Sequence, residues 1–199
     1  MKKRKMSIWT IVYLILIFLA MAVFVLPIGL AVLTSFKSKP DLAKSVIGLP
    51  ETLYLKNYSE AMIRSDFVHS LRNTALVVLP SVVLIVLCAS MSGYAVARYA
   101  KEKRVFRALD KLYLASLMIP FQILMIPVYK IYKTLHMLNF LPGMILMLVG
   151  TSIAYASFLY VGFVKSIPRE IEESAYMDGC SEMKSFWLIT FPLLKPISA

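Results

Sequence analysis

The chain has 199 residues, 59% of them hydrophobic, with a mean hydropathy of +0.74 and a formal net charge of +11. Soluble domains use about 45–50% apolar residues, so this composition leaves too little polar surface for a protein that lives in water. The basic residues sit at the flanks of apolar runs, without the one-faced patch or motif context of a nucleic-acid binder, and that class is set aside.

An uncharged helix of about 20 residues crosses a bilayer core of roughly 30 Å. Four such runs predict an all-α, polytopic transmembrane helix bundle. The first, residues 8–36, follows Lys2-Lys3-Arg4-Lys5. A signal peptide cleaved near Ala20-Met21-Ala22 competes with a span there, but the apolar run continues to Leu33, where a mature soluble chain should begin. Residues 37–71 carry Pro40, Pro50 and charges of both signs, and read as an extracytoplasmic loop with a helical second half.

The second span is expected at 72–97, where Ala89, Gly93 and Ala97 recur every four residues. That spacing suits either a close helix contact or a substrate-lining face. A third span, 110–131, contains Pro120 and Pro127, each of which frees a carbonyl one turn earlier. Gln122 lies between them and either bonds those carbonyls or lines a translocation path. The fourth span, 138–164, holds Gly150, Thr151, Ser152, Ala154, Ala156 and Ser157, a small and hydroxyl cluster expected to face protein.

Basic residues at helix ends mark the cytoplasmic side. Lys2 to Lys5 form one such cluster and Arg98, Lys101, Lys103, Arg104 and Arg107 form another, which puts the N-terminus in the cytoplasm and residues 165–192 on the same side. Cys88 is expected to be buried within the second span and Cys180 to lie on the cytoplasmic side, too far away for a disulfide. His69 and His136 are isolated, and no metal-ligand spacing, phosphate loop or nucleophile elbow occurs. No catalytic or metal-binding residue is expected.

After the fourth span the chain reads as a helix-turn-helix. Ser166 can cap, Pro168 suits a first turn, Glu170 and Glu172 complement the positive helix end, and Gly179 can close it. Ser181 and Glu182 then open a second helix through Phe186, Trp187 and Ile189 to Pro192. Such a motif is either an interfacial anchor or a docking site. The acidic cluster Glu170, Glu172, Glu173, Asp178 and Glu182 disfavours an anionic lipid surface and points to a partner protein.

Glu173-Ser174-Ala175, Asp178-Gly179-Cys180, Phe186, Ile189 and Pro192-Leu193 resemble the EAA loop of binding-protein-dependent ABC importer permeases, with Ser174 for the first alanine and Phe191 for a leucine. Thr34-Ser35-Phe36-Lys37, Asn57-Tyr58, Asn73-Thr74, Tyr94-Ala95 with Arg98, and Ile119-Pro120 followed by Ile126-Pro127-Val128-Tyr129 are similar to the sugar branch, and to its shorter permease subunit in maltose-type and glycerol-3-phosphate-type systems. The resemblance implies a bacterial cytoplasmic (inner) membrane, where lipid surrounds the spans. It also implies a second permease subunit, two ATP-binding cassette ATPase subunits and an extracytoplasmic solute-binding protein.

ATP and Mg would then sit on the partner subunits, with no cofactor on this chain. Glu172, Glu173, Ser174, Ala175, Asp178 and Gly179 become the ATPase-coupling element, Glu173 pairing with a basic residue of the ATPase. Such permeases have six spans, so a chain in which 193–199 begin a fifth is expected to be a fragment. A permease for polyamines, amino acids or another solute, and a passive channel or scaffold, are the other readings.

Overall fold

Long uncharged runs satisfy their backbone groups internally as helices, and in the computed structural model, which describes residues 8–198, all regular structure among them is helical, with no strand. The basic cluster Lys2 to Lys5 lies outside the described residues. Three helices are long and apolar enough to cross a membrane: α1 (Ile8–Ser35), α4 (Phe67–Tyr99) and α7 (Leu141–Ser166). The chain divides into two compact units, Met1–Leu71 and Arg72–Ala199.

The first unit holds α1 and two short helices, α2 (Lys39–Lys44) and α3 (Lys56–Arg64). No residue of α1 is buried. The end of α1 is fastened by its following loop. Lys37, 1% exposed, donates through Nζ to the carbonyls of Ser45 (2.8 Å) and Val46 (3.0 Å). Asn57 donates through Nδ2 to the carbonyls of Ser35 (2.9 Å) and Lys37 (2.7 Å), and the Tyr58 hydroxyl meets Ser35 Oγ at 2.6 Å. Thr34 to Lys37 and Asn57-Tyr58, separate in sequence, are therefore one contact in space.

In the second unit the residues expected as a third span form two helices. α5 (Arg104–Ser116) and α6 (Phe121–Thr134) meet at 106° across a short break. Pro120 sits at the N-cap of α6 with ψ 137°, and Ile119 before it is disfavoured from the helical region, so the interruption expected from Pro120 within 110–131 takes the form of a sharp bend. Pro127 stays inside α6. His136, at φ 53°, ends α6, with Met137 N–H reaching back to the Tyr132 carbonyl at 2.8 Å.

Helices α4 and α7 approach closely at Gly93. A Cβ there would stand 2.5 Å from Tyr160 Cβ and 3.1 Å from the Ser157 carbonyl oxygen, so only glycine fits without movement. Ser92 and Ser157 share a hydroxyl hydrogen bond of 2.8 Å beside it. The recurrence at Ala89, Gly93 and Ala97 thus marks a helix contact. The small cluster on α7 is divided: Ser157 is buried, whereas Gly150 and Thr151 are exposed.

The remaining helices pack onto this pair. α8 (Arg169–Met177) is followed by α9 (Glu182–Ser185), a π-helical turn (Phe186–Thr190), α10 (Phe191–Leu193) and α11 (Lys195–Ser198). Phe186 and Leu194 enter a cluster with Ala89, Tyr94, Tyr160, Val164 and Ile167. Pro192 has no N–H for the Leu188 carbonyl, and the turn before it widens so that Phe191 N–H bonds to Phe186 instead. Cys88, expected inside apolar packing, faces outward from α4 because the small residues Ala89 and Gly93 hold the inner face.

Candidate functional site

The α8 to α9 segment is closed by backbone geometry. Gly179 adopts φ 83°, its N–H bonds to the Tyr176 carbonyl (3.0 Å), and Cys180 N–H reaches Ala175 (2.9 Å), the paired bonds of a Schellman stop. Ser181 then caps α9 by accepting from Lys184 N–H. Ser166 does not cap α8 as expected. It ends α7, its hydroxyl donating to Phe163, and Pro168 takes the N-cap position.

With nine residues and these ends fixed, α8 presents two faces. Glu172 and Ala175, three apart, point inward. Glu170, Glu173, Ser174, Met177 and Asp178 point outward, Met177 at 88% exposure. Of the six expected coupling residues, Glu173, Ser174, Asp178 and Gly179 are therefore available to a partner. Glu172 and Ala175, at 4% and 6% exposure, face into the chain instead.

Glu172 is the centre of a buried network. Arg98, in the last turn of α4, donates to it through Nη2 at 2.6 Å to Oε1 and through Nε at 3.1 Å to both oxygens. Thr190 donates to Oε1 and Tyr94 to Oε2, both at 3.2 Å, and the Tyr94 and Tyr176 hydroxyls lie 3.2 Å apart. Arg98 also bonds to the Ile167 carbonyl (3.2 Å), while Arg169 donates to the Arg98 carbonyl. A carboxylate with this many donors is stable away from water, where an unpaired one would not be.

The flanking cleft, about 210 Å³, is lined by Tyr99, Glu102, Glu173 and Glu182 as well as the network. Beside it Arg107 closes the end of α4 by donating to the carbonyls of Ala100 (3.1 Å) and Lys101 (2.6 Å), and Lys165 pairs with Asp110 at 3.5 Å. Basic side chains here thus stabilise a helix C-terminus. Gln122 is exposed at the second position of α6, the helix that follows the bend.

Residues 85–199 match the family of binding-protein-dependent transport system inner membrane components. The chain belongs to this family. The matched region takes in the second half of α4 and all of the α8 to α11 segment, so the network and the exposed α8 face both lie inside it.

Similar proteins include a probable starch degradation products transport system permease protein of Thermoanaerobacterium thermosulfurigenes, 32% identical over 85% of this chain and 61% of its own length. The melibiose/raffinose/stachyose import permease protein of Bacillus subtilis is 33% identical over 87% and 62%. A multiple sugar-binding transport system permease protein of Streptococcus mutans is 29% identical over the same shares, 87% and 62%. The chain spans about three fifths of the length of these curated relatives. Membership makes this a multi-pass protein of the membrane, consistent with its long apolar helices.

Reading residues alone missed Arg98 as an internal partner, since positive charge at the end of a span is first a topology signal. Its spacing of four from Tyr94 put both on one helix face, which was the available clue.

Proposed function

We propose that this protein is a membrane-spanning permease subunit of an ATP-driven importer for a carbohydrate or related solute. In this reading it works in the bacterial cytoplasmic membrane with a second permease subunit, two ATPase subunits that hold ATP and Mg, and an extracytoplasmic solute-binding protein. The carrying observation is the outward face of α8, where Glu173, Met177 and Asp178 stand exposed on a helix ended by a fixed glycine turn. A short rigid helix with an apolar tip and acidic flanks suits a cleft with a basic rim. The carbohydrate class rests on the relatives, whose names refer to starch degradation products, melibiose, raffinose, stachyose and multiple sugars. Hydrolysis is assigned to the partner subunits, and this chain supplies the path and the lever.

With the N-terminus in the cytoplasm, a cysteine replacing Ser45 labels from outside in intact cells, and one replacing Glu102 labels only after permeabilisation. The opposite pattern would place α8 outside and remove any cytosolic ATPase from the reading.

Docking has its own reporter in Cys180, which is half-buried directly after Gly179. A water-soluble maleimide is expected to modify it in membranes stripped of ATPase, and more slowly once ATPase is restored. Glu173→Lys is expected to weaken that protection by about 2–5 kcal/mol if its pair is buried at the contact, and by much less if the pair lies on the rim. An unchanged labelling rate on adding ATPase to the unmutated protein overturns docking at this segment.

A further inference from the structure

We infer that Arg98 and Glu172 form the joint through which a displacement of α8 is passed to the span α4, so that both are positioning residues for coupling and neither touches the ATPase. This rests on the reading of α8 as the docking helix. The inference comes from how little else holds α8.

Nine residues fall below the roughly 12–15 at which an isolated helix becomes even marginally stable in water, so α8 depends on what it packs against. Its N-cap, Pro168, makes no side-chain cap bond, and its buried residues are Glu172 and Ala175. Ala175 offers one methyl group. Ile171 and Tyr176 are partly covered and the Tyr176 hydroxyl meets Tyr94, which is enough to seat the helix, but the strongest single hold on α8 is ionic.

That ionic grip has a direction. The guanidinium of Arg98 meets the carboxylate through two nitrogens, a fork that resists rotation in a way a single ammonium would not. Arg98 and Glu172 are 7% and 5% exposed at their side chains, so separating them leaves both charges poorly solvated, and the pair resists slipping. A push on α8 therefore moves α4 with it.

Further bonds keep the push from bending the connection between the helices. Arg98 Nη2 holds the Ile167 carbonyl at the end of α7, and Arg169 at the start of α8 donates to the Arg98 carbonyl. Thr190, brought inward by the π-helical turn, adds the segment after α9 to the same carboxylate. From this joint α4 runs as one helix past its seat at Gly93, so its movement is carried into the membrane-spanning part.

The test uses the complete transporter assembled with its ATPase in lipid vesicles. Environment-sensitive labels are placed one at a time at Val83→Cys on α4 or Glu170→Cys on α8, with Cys88 and Cys180 replaced. ATP with vanadate serves as the trapping probe, so no solute need be known. In the otherwise unmutated protein both labels are expected to respond. In Arg98→Gln and Glu172→Gln, ATPase recruitment and the α8 response are expected to persist while the α4 response falls by roughly tenfold. Arg98→Lys, which keeps the charge but not the fork, is expected to fall between.

An undiminished α4 response in Arg98→Gln overturns the joint. So does loss of recruitment and of both responses together, which would make the pair a support for the docking surface. Failure of Arg98→Lys to reach the membrane would identify a folding requirement and overturn it as well. If the unmutated permease recruits no ATPase, the docking reading falls and the joint with it. Recruitment with a silent α4 label removes the joint alone.

Discussion

Gly93→Val is expected to destabilise the α4 to α7 contact more than any other small-to-large change on either helix. The new Cβ would meet Tyr160 Cβ at 2.5 Å, the Ser157 carbonyl oxygen at 3.1 Å and the Val161 backbone nitrogen at 3.2 Å. Two of those three atoms belong to backbone and cannot rotate away, so the helices must separate. Separation would also stretch the 2.8 Å bond between Ser92 and Ser157. Overpacking of this kind costs about 1–3 kcal/mol, with the upper end expected where backbone blocks relief. The measurement is the thermal unfolding midpoint of the detergent-solubilised protein together with its yield from membranes. Gly162→Ala is the control, because nothing lies within 4 Å of its added methyl. Equal effects from the two substitutions would show that the close approach at Gly93 is absent in the membrane.

Glu172→Ala is expected to cost about 3–5 kcal/mol, since it leaves the Arg98 guanidinium buried without its counter-ion. Removing both charges together, as Arg98→Met with Glu172→Leu, is expected to cost less than the single change, because the desolvation of two ions is relieved as their attraction is lost. The double variant will not be free of cost. Thr190, Tyr94 and the Ile167 carbonyl lose a partner, and each unsatisfied buried polar group costs about 1–3 kcal/mol. Unfolding midpoints of Arg98→Met, Glu172→Leu and the double variant, beside the unmutated protein, give the cycle directly. If the double variant is no more stable than Glu172→Ala, the site is not as dry as its burial indicates.

Much of the helical fold was legible because the bilayer imposes a simple requirement. A run without charges must hydrogen-bond itself, so Ile8 to Ser35 and Leu141 to Ser166 announce helices whatever they pack against. The recurrence of Ala89, Gly93 and Ala97 likewise carried its own geometry, four residues being about one turn. The 106° bend was hidden for a physical reason. Pro120 signals an interruption, but the angle is set by the conformation of the four residues between α5 and α6, which composition does not specify.

At the candidate site the legible part was the turn chemistry. Gly179 and Ser181 are residue types with narrow uses, and both are used in that way. Which of two adjacent glutamates turns inward was not legible from α8 alone. Glu172 and Glu173 are chemically identical there, and the choice is made by Arg98, 74 residues earlier. Pairings across such separations leave no local period. The short motifs around Lys37 and Asn57 show the same thing, since their joint meaning appears only when the loop closes on the end of α1.

The π-helical turn has a consequence for register. Phe186 and Leu194 are eight residues apart, and in an unbroken α-helix at about 3.6 residues per turn they would diverge by most of a quarter-turn. The wide turn takes up one residue, so their spacing acts as seven, close to two whole turns. Both side chains then reach the same apolar cluster, at 2% and 0% exposure, with Thr190 between them facing Glu172. Chain length and angular phase are thereby decoupled in this segment. A helical wheel drawn through it misplaces Phe191 to Leu194 by about 100°.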